Sequence, residues 1–226
     1  MTIRLLQLPE RTLEWRLKRS SRRSIGLKID RDGLTVTLPA RLPLAEAERV
    51  IRQKLGWILQ KLAEQSVALP PLSHGAEVLW LGESVTLHTG SARSRLDGDI
   101  LHLASDDDSG LLTQVFARFC QRQARAHFAA FVDHWSARMA LVPQKLALSS
   151  ARSRWGSCSA SGGVRLNWRL MQAPPAVIDY VVIHELAHLA ELNHSPRFWA
   201  IVAAHCPDWK VRRDWLKQHG NRLLGW

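Results

Sequence analysis

Residues 184–194 read HELAHLAELNH, and His184, Glu185 and His188 have types and spacing that could do chemistry. On a helix, positions i and i+4 lie one above the other, about 6 Å apart along the axis, so their side chains share a face. Two imidazoles at that spacing can converge on one ion with Zn–N bonds of about 2.0–2.1 Å. Glu185 is rotated by about 100° from His184, outside the ligand set but able to reach a metal-activated water. A zinc ion lowers that water's pKa to roughly 7, and the carboxylate takes its proton as hydroxide attacks a carbonyl carbon. This is amide hydrolysis in outline.

Such a site needs a third ligand. Glu191 lies on the same face but about 7.5 Å along the axis from the midpoint of the two histidines, which suits it better as an acceptor for an imidazole N–H. His194 can swing back if the helix stops before it, and Asn193 is a residue that tolerates the left-handed turn that stops helices. Ser195 and Pro196 then read as the cap and first residue of a further helix, SPRFWAIVAAHC. His205 on that helix is the weaker candidate. His74, His88, His102, His127, His134 and His219 read as ordinary surface or half-buried residues.

The element that carries the site, APPAVIDYVVIHELAHLAELN, opens on Pro174 and Pro175, placed where a first helical turn needs no N–H. Val181, Val182, Ile183, Leu186, Ala187, Leu189, Ala190 and Leu192 surround it, so the spacing predicts a buried helix in which polar groups need a reason. Upstream, strand-like KLALSSARS and GGVRLNWRL flank RWGSCSAS, a hairpin-like link, and a helix is expected from about Leu111 to Met139 with SDDDSG at 105–110 as its cap. Short strands are expected around EVLWLG, SVTLH and DILHL. Before them, residues 13–19, 24–29 and 34–39, with a DRDG turn, predict a small antiparallel sheet. One helix is expected from Pro43 to Gln65, interrupted by Pro70 and Pro71. No internal repeat is visible.

The 226 residues bury a real core and sit near the size at which one domain gives way to two. We expect a β-rich lobe with one helix over 1–105 and a catalytic domain over 106–226. Hydrophobic residues at 46% and charged residues at 23% describe a globular chain with no apolar run of membrane-spanning length, so no membrane partner is expected. MTIRLLQLPER lacks a signal-peptide core, and Cys120, Cys158 and Cys206 are a poor disulfide framework, which together predict a cytoplasmic protein. A formal charge of +11 favours an acidic partner. Arg16, Lys18, Arg19, Arg22 and Arg23 form one basic cluster, and Lys210, Arg212, Arg213, Lys217 and Arg222 another; both suit nucleic acid, and both suit a merely solvated face.

SRWGSCS, VRLNWRL, APPAVIDYVVIHELAHLAELNHSPRFW and CPDWKVRRDWL resemble the YgjP-like family of zinc metallopeptidases, related to the SprT-like proteases, and RSIGLKIDRDGLTVTLP, KLGWI and VLWLGESVTLH resemble its N-terminal part. The resemblance implies an α+β fold: a zincin-like catalytic domain with an antiparallel sheet and an HExxH helix, plus a smaller N-terminal β-rich lobe. It implies His184, His188 and His194 as ligands of Zn2+ and Glu185 as the catalytic base. The histidine spacing is also that of the metzincins, but Glu191 stands where their glycine does.

The resemblance also implies an edge strand beside the metal where a peptide substrate pairs, and GVRLNWRL is the candidate. Trp155 and Trp168 are expected to shape that groove or to belong to the core. Tyr180, Arg152, Arg154 and Arg197 are candidates to stabilise an oxyanion. The expected function is a zinc-dependent metallopeptidase acting on a protein or peptide, with nucleic acid as a candidate neighbour. The alternative is a nucleic-acid-binding module with a structural zinc, which needs a fourth protein ligand for which Cys158 is the one conceivable thiol.

Overall fold

The computed structural model describes residues 2–30, 32–66, 71–105 and 109–224. Arg31 of the expected turn, Pro70, and Asp106, Asp107 and Asp108 of the expected cap lie outside the described residues. The chain divides into two compact units, 1–68 and 69–226.

In the first unit, β1 (Thr2–Gln7), β2 (Thr12–Ser20), β3 (Gly26–Asp30) and β4 (Gly33–Pro39) form a sheet in the order β1-β2-β4-β3. β1–β2 and β3–β4 are antiparallel hairpins, but β2 and β4 run parallel, so the sheet is mixed where an antiparallel one was expected. The β3–β4 hairpin docks with its second strand inward, which places two strands of the same direction side by side. Alternation along β2 buries Leu13, Trp15 and Leu17, and β4 adds Leu34, Val36 and Leu38. Against them pack Ala47 and Ile51 of α1 (Leu44–Gln53) and Ile58 of α2 (Leu55–Ser66). The single helix expected here is two, because the backbone leaves helical geometry at Lys54, with φ −104° and ψ 14°, just before the poor helix former Gly56.

The second unit begins with β5 (Glu77–Trp80), β6 (Glu83–His88), β7 (Arg95–Asp97) and β8 (Ile100–His102), a sheet ordered β5-β6-β8-β7. Then come α3 (Ser109–Met139), β9 (Lys145–Ser149), β10 (Gly156–Cys158) and β11 (Gly163–Asn167). A 3-10 turn (Trp168–Gln172) leads to α4 (Pro175–Ala187), α5 (Pro196–His205) and α6 (Trp209–Leu223). Val78, Trp80, Val85, Leu87 and Leu101 share one core with Phe116, Phe119 and Phe128 of α3 and with Ile178, Val182 and Ile183 of α4. That shared burial is why residues 69–105 fall with the second unit, whereas the sequence suggested a boundary at 105/106.

Two features place α4. It packs against α3, α5, α6 and the β10–β11 hairpin, and that enclosure accounts for its apolar character on all sides. At its start, the β5–β6 turn donates from Leu81 N–H to the Met171 carbonyl at 2.7 Å, and Gly82 comes so close that a Cβ there would lie 3.0 Å from Pro174 Cα. Gly82 also has φ +91°, so residue type and close approach agree.

The three-stranded sheet has the order β10-β11-β9, with β10–β11 antiparallel and β11–β9 parallel. β11, expected from the sequence as the edge strand, is therefore the centre, and β10 is an edge. Alternation in β11 shows an apolar strand half facing a core, which either position satisfies; the pairing with β9 decides it.

Candidate active site

α4 ends earlier than its sequence suggests. Its last residue is Ala187 and its cap is His188, with the chain tightening through Leu189 N–H to the Leu186 carbonyl at 2.9 Å and Ala190 N–H to the Ala187 carbonyl at 3.1 Å, a carbonyl that also accepts from Glu191 N–H at 3.0 Å. Asn193 is not left-handed: the non-glycine residues with positive φ among those described are Leu81 and Ala140. The helix thus stops a turn before the expected place, and residues 188–194 curl back. α5 then starts as expected, with Ser195 Oγ accepting from Phe198 N–H at 3.3 Å and Pro196 in the first turn.

The result brings His184, His188 and His194 together, with one ligand atom from each lying within 4.8 Å of the others. The Nε2 atoms of His184 and His194 are 3.1 Å apart, close to the spacing of about 3.3 Å that two nitrogens have across a tetrahedral ion with bonds of about 2.05 Å. His188 Nδ1 donates to the Glu191 carbonyl at 3.0 Å, because a carbonyl can only accept; its Nε2 keeps the lone pair. Glu191 does serve as acceptor for an imidazole, through its backbone and not its carboxylate. Burial, followed by the neighbouring imidazoles, pushes His184 down to about 3. Burial also lowers His188, against the hydrogen bond to Glu191. Both are neutral at neutral pH, the form that binds metals. His184 Nδ1 and Glu185 Oε2 are buried without a hydrogen-bond partner among the described residues. Nitrogen donors of this number and convergence fit a transition-metal ion.

Phe198 is fully buried beneath the three rings, with centroids 4.9, 4.4 and 4.7 Å from His184, His188 and His194. It fixes their orientation, and its signal in the sequence was only a position one turn into the helix after His194. His205 stands apart, 6.4 Å from Trp135, and Cys158 is outside the cluster with its thiol pushed up by burial.

Glu185 is 5% exposed, and burial raises its carboxyl from 4.5 to about 8 against the opposing charge of Arg154. It lies against Gly156 at the start of β10, where a Cβ would come 2.6 Å from Glu185 Cγ. Asn167 anchors that approach: fully buried, its Nδ2 donates to the carbonyls of Ala151 (2.7 Å) and Arg154 (3.0 Å), and its own N–H donates to the Trp155 carbonyl at 2.7 Å. The link 151–156 is thereby held against the helix. Neither Gly156 nor Asn167 carries a local signature of a role, although both lie in segments that resemble the family.

A cleft of about 400 Å³ opens beside His184 and Glu185, walled by Arg154, Trp155, Tyr180 and the α6 face carrying Arg213, Lys217 and Gly220. Trp155 shapes this cleft, while Trp168 belongs to the core, 2% exposed with its indole N–H on Ser150 Oγ at 3.1 Å. Of the oxyanion candidates, Tyr180 and Arg154 line the cleft; Arg152 and Arg197 do not. The basic clusters are not continuous free faces. Arg19 Nη1 donates to the carbonyls of Pro39, Ala40 and Leu42, and Arg212 is held by Asp208 and the Ala176 carbonyl.

The sequence model of the YgjP-like metallopeptidase domain matches residues 23–219, nearly the whole chain. The chain belongs to this family. As a YgjP-like metallopeptidase domain it is an α+β, zincin-like hydrolase of protein or peptide that works with a metal ion. Among solved structures, this YgjP-like chain is similar to the metallopeptidase zymogen of Pyrococcus abyssi abylysin, with 21% identity and a TM-score of 0.37 over 40% of this chain and 91% of that one. It is also similar to the metallopeptidase zymogen of Methanocaldococcus jannaschii jannalysin, with 15% identity and a TM-score of 0.32 over 38% and 93%. No curated protein matches the sequence. Among the described residues, no helix is long and apolar enough to cross a membrane.

Proposed function

We propose that the chain is a zinc-dependent peptidase in which His184, His188 and His194 hold the ion and Glu185 is the general base. The observation that carries this is the convergence of three imidazoles beside a buried carboxylate whose Oε2 has no hydrogen-bond partner among the described residues. Zinc supplies Lewis acidity, which polarises a carbonyl and eases loss of a proton from water. Glu185 accepts that proton and delivers it to the leaving amine. The outer edge of β10 offers backbone groups with which a substrate strand pairs beside Glu185. Tyr180, with its ring 5.8 Å from that of His184, and Arg154 flank the position where the carbonyl oxygen gains charge.

The alternative of a structural zinc is disfavoured because the cluster among the described residues is three histidines without a fourth ligand, the pattern of an open catalytic site. The finer reading of a peptidase acting near nucleic acid is supported by the formal charge of +11, though Arg19 is committed to carbonyls. A reducing, cytoplasmic setting suits Cys120, Cys158 and Cys206, all free thiols. The test is hydrolysis of an unstructured protein by the zinc-loaded chain, with loss on chelation and recovery on adding zinc. A fully loaded protein that cleaves nothing would overturn the proposal.

A further inference from the structure

The cleft beside the histidines has an unbalanced charge. Arg213 and Lys217 are four residues apart on α6 and so share a face, and Arg154 enters from the opposite link. Against these three cations stand Glu185, which lines the same cleft and feels the charge of Arg154, and, outside the lining, the exposed Asp214, 2.8 Å from Lys217 Nζ and 3.7 Å from Arg213 Nε. Arg154 makes no ion pair or side-chain hydrogen bond among the described residues, and Arg213 Nε is buried without a hydrogen-bond partner. The Arg213 guanidinium is held in place over Trp209, 4.8 Å from the ring centroid. Trp155, Val181, Leu216 and Leu224 give the cleft apolar walls, and Tyr180 and Asn221 add polar groups. The volume, about 400 Å³, is at the lower end of the roughly 300–1,000 Å³ typical of small-molecule sites.

We infer that this cleft is a specificity subsite for an oxyanion on the substrate, gripped by Arg154 and Arg213 with Lys217 at the rim, while the apolar walls pack the group that bears it. The inference rests on the reading that His184 and Glu185 perform the cleavage, since it is their position that makes the cleft a substrate subsite. Guanidinium groups are always charged and present forked donors that match carboxylate and phosphate alike, so the shared chemistry is a planar or tetrahedral oxyanion. Its two sources are a carboxylate, from an acidic side chain or chain terminus, and a phosphate ester.

The experiment has a binding arm and a turnover arm. Calorimetric titration at low salt of N-acetylglutamate and, separately, inorganic phosphate is run on the zinc-loaded and the chelated protein, so that an anion sitting on the metal is separated from one in the cleft. Binding that survives chelation and weakens at least roughly tenfold in R213Q/K217Q, with zinc content unchanged, is expected; the tighter probe names the source. R154Q serves as the independent variant if the double variant does not fold. Peptides differing only by Glu, Gln or phosphoserine near the cut should show a preference of roughly tenfold or more in kcat/KM for the anionic member, lost in R154Q. Absence of binding, or equal binding in the variants, overturns the subsite. Anion binding that depends on Arg213 in a loaded protein that cleaves no peptide would instead remove the peptidase reading and keep the anion site.

Discussion

The carboxylate of Glu185 occupies the space where residue 156 would carry a side chain: a Cβ on Gly156 would lie 2.6 Å from Glu185 Cγ and 2.7 Å from Cδ. The edge strand and the helix of the candidate base therefore meet at a point that only glycine fills. Gly156→Ala should push the carboxylate away from the histidines and lower turnover by about 10²-fold, in line with displacement of a positioned group. Zinc content should stay at that of the wild type, because the histidines reside on α4 and the segment after it. Full activity in this variant would show that Glu185 does not act from this position.

Glu185→Gln separates base from ligand. It keeps the shape and removes the proton acceptor, so hydrolysis should fall by roughly 10²-fold or more with one zinc per chain retained. Metal analysis beside turnover of an unstructured protein is the check. Loss of zinc would make Glu185 a ligand.

The same residue sets a pH dependence in the metal-free protein. Its folded-state pKa of about 8 lies above the ordinary 4.5, so the stability it contributes is complete below about 4.5 and is lost as pH rises through about 8. His184, lowered to about 3, works in the opposite sense, its contribution being present above 6.5 and lost as pH falls toward 3. Urea unfolding of chelated wild type and Glu185→Gln between about pH 5 and 8 should therefore give a stability difference that shifts in favour of the variant as pH rises. A difference independent of pH would contradict the burial assigned to this carboxylate.

What was legible in the sequence follows from how local each feature is. His184, Glu185 and His188 sit within five residues, and Ser195 with Pro196 announces the next helix, so α4, α5 and the shared face of the first two histidines could be read from spacing. Asn193 misled because several turns can end a helix, and the chain used carbonyl-sharing at Ala190 and Glu191 in place of a left-handed residue. The edge position of β10 and the entry of Arg213 and Lys217 into the cleft depend on strand pairing and helix return across tens of residues. No spacing rule carries that information, which is why two of the C-terminal basic residues looked like part of a solvated face.

Phe198 should matter to the metal without touching it. Fully buried and packed on all three imidazoles, it holds rings that would otherwise choose other rotamers. Phe198→Ala should cost about 3–5 kcal/mol of stability, and Phe198→Leu, which keeps most of the volume, should fold while binding zinc roughly tenfold more weakly, within the 10–100-fold range for groups that orient ligands. Competition with a chelator of known affinity measures this, and unchanged affinity in the Leu variant would limit Phe198 to packing.

Asn167 extends the same logic to the other wall. Its amide spans the carbonyls of Ala151 and Arg154 and its side-chain oxygen accepts from Arg169 N–H at 3.1 Å, so a change to Ala leaves one buried N–H and two part-buried carbonyls without these partners. Asn167→Ala should destabilise the protein by about 1–3 kcal/mol for each group left unsatisfied, softened where water enters. Asn167→Asp keeps the acceptor for Arg169 but cannot donate, so it should lose the link 151–156 selectively. In that variant the amides of residues 151–156 should exchange hydrogen faster while those of α4 stay protected, and kcat should fall with zinc still bound. Equal protection of the link in the Asn167→Asp variant and the wild-type protein would mean that the β10–β11 pairing alone holds Gly156 and Arg154 at the helix.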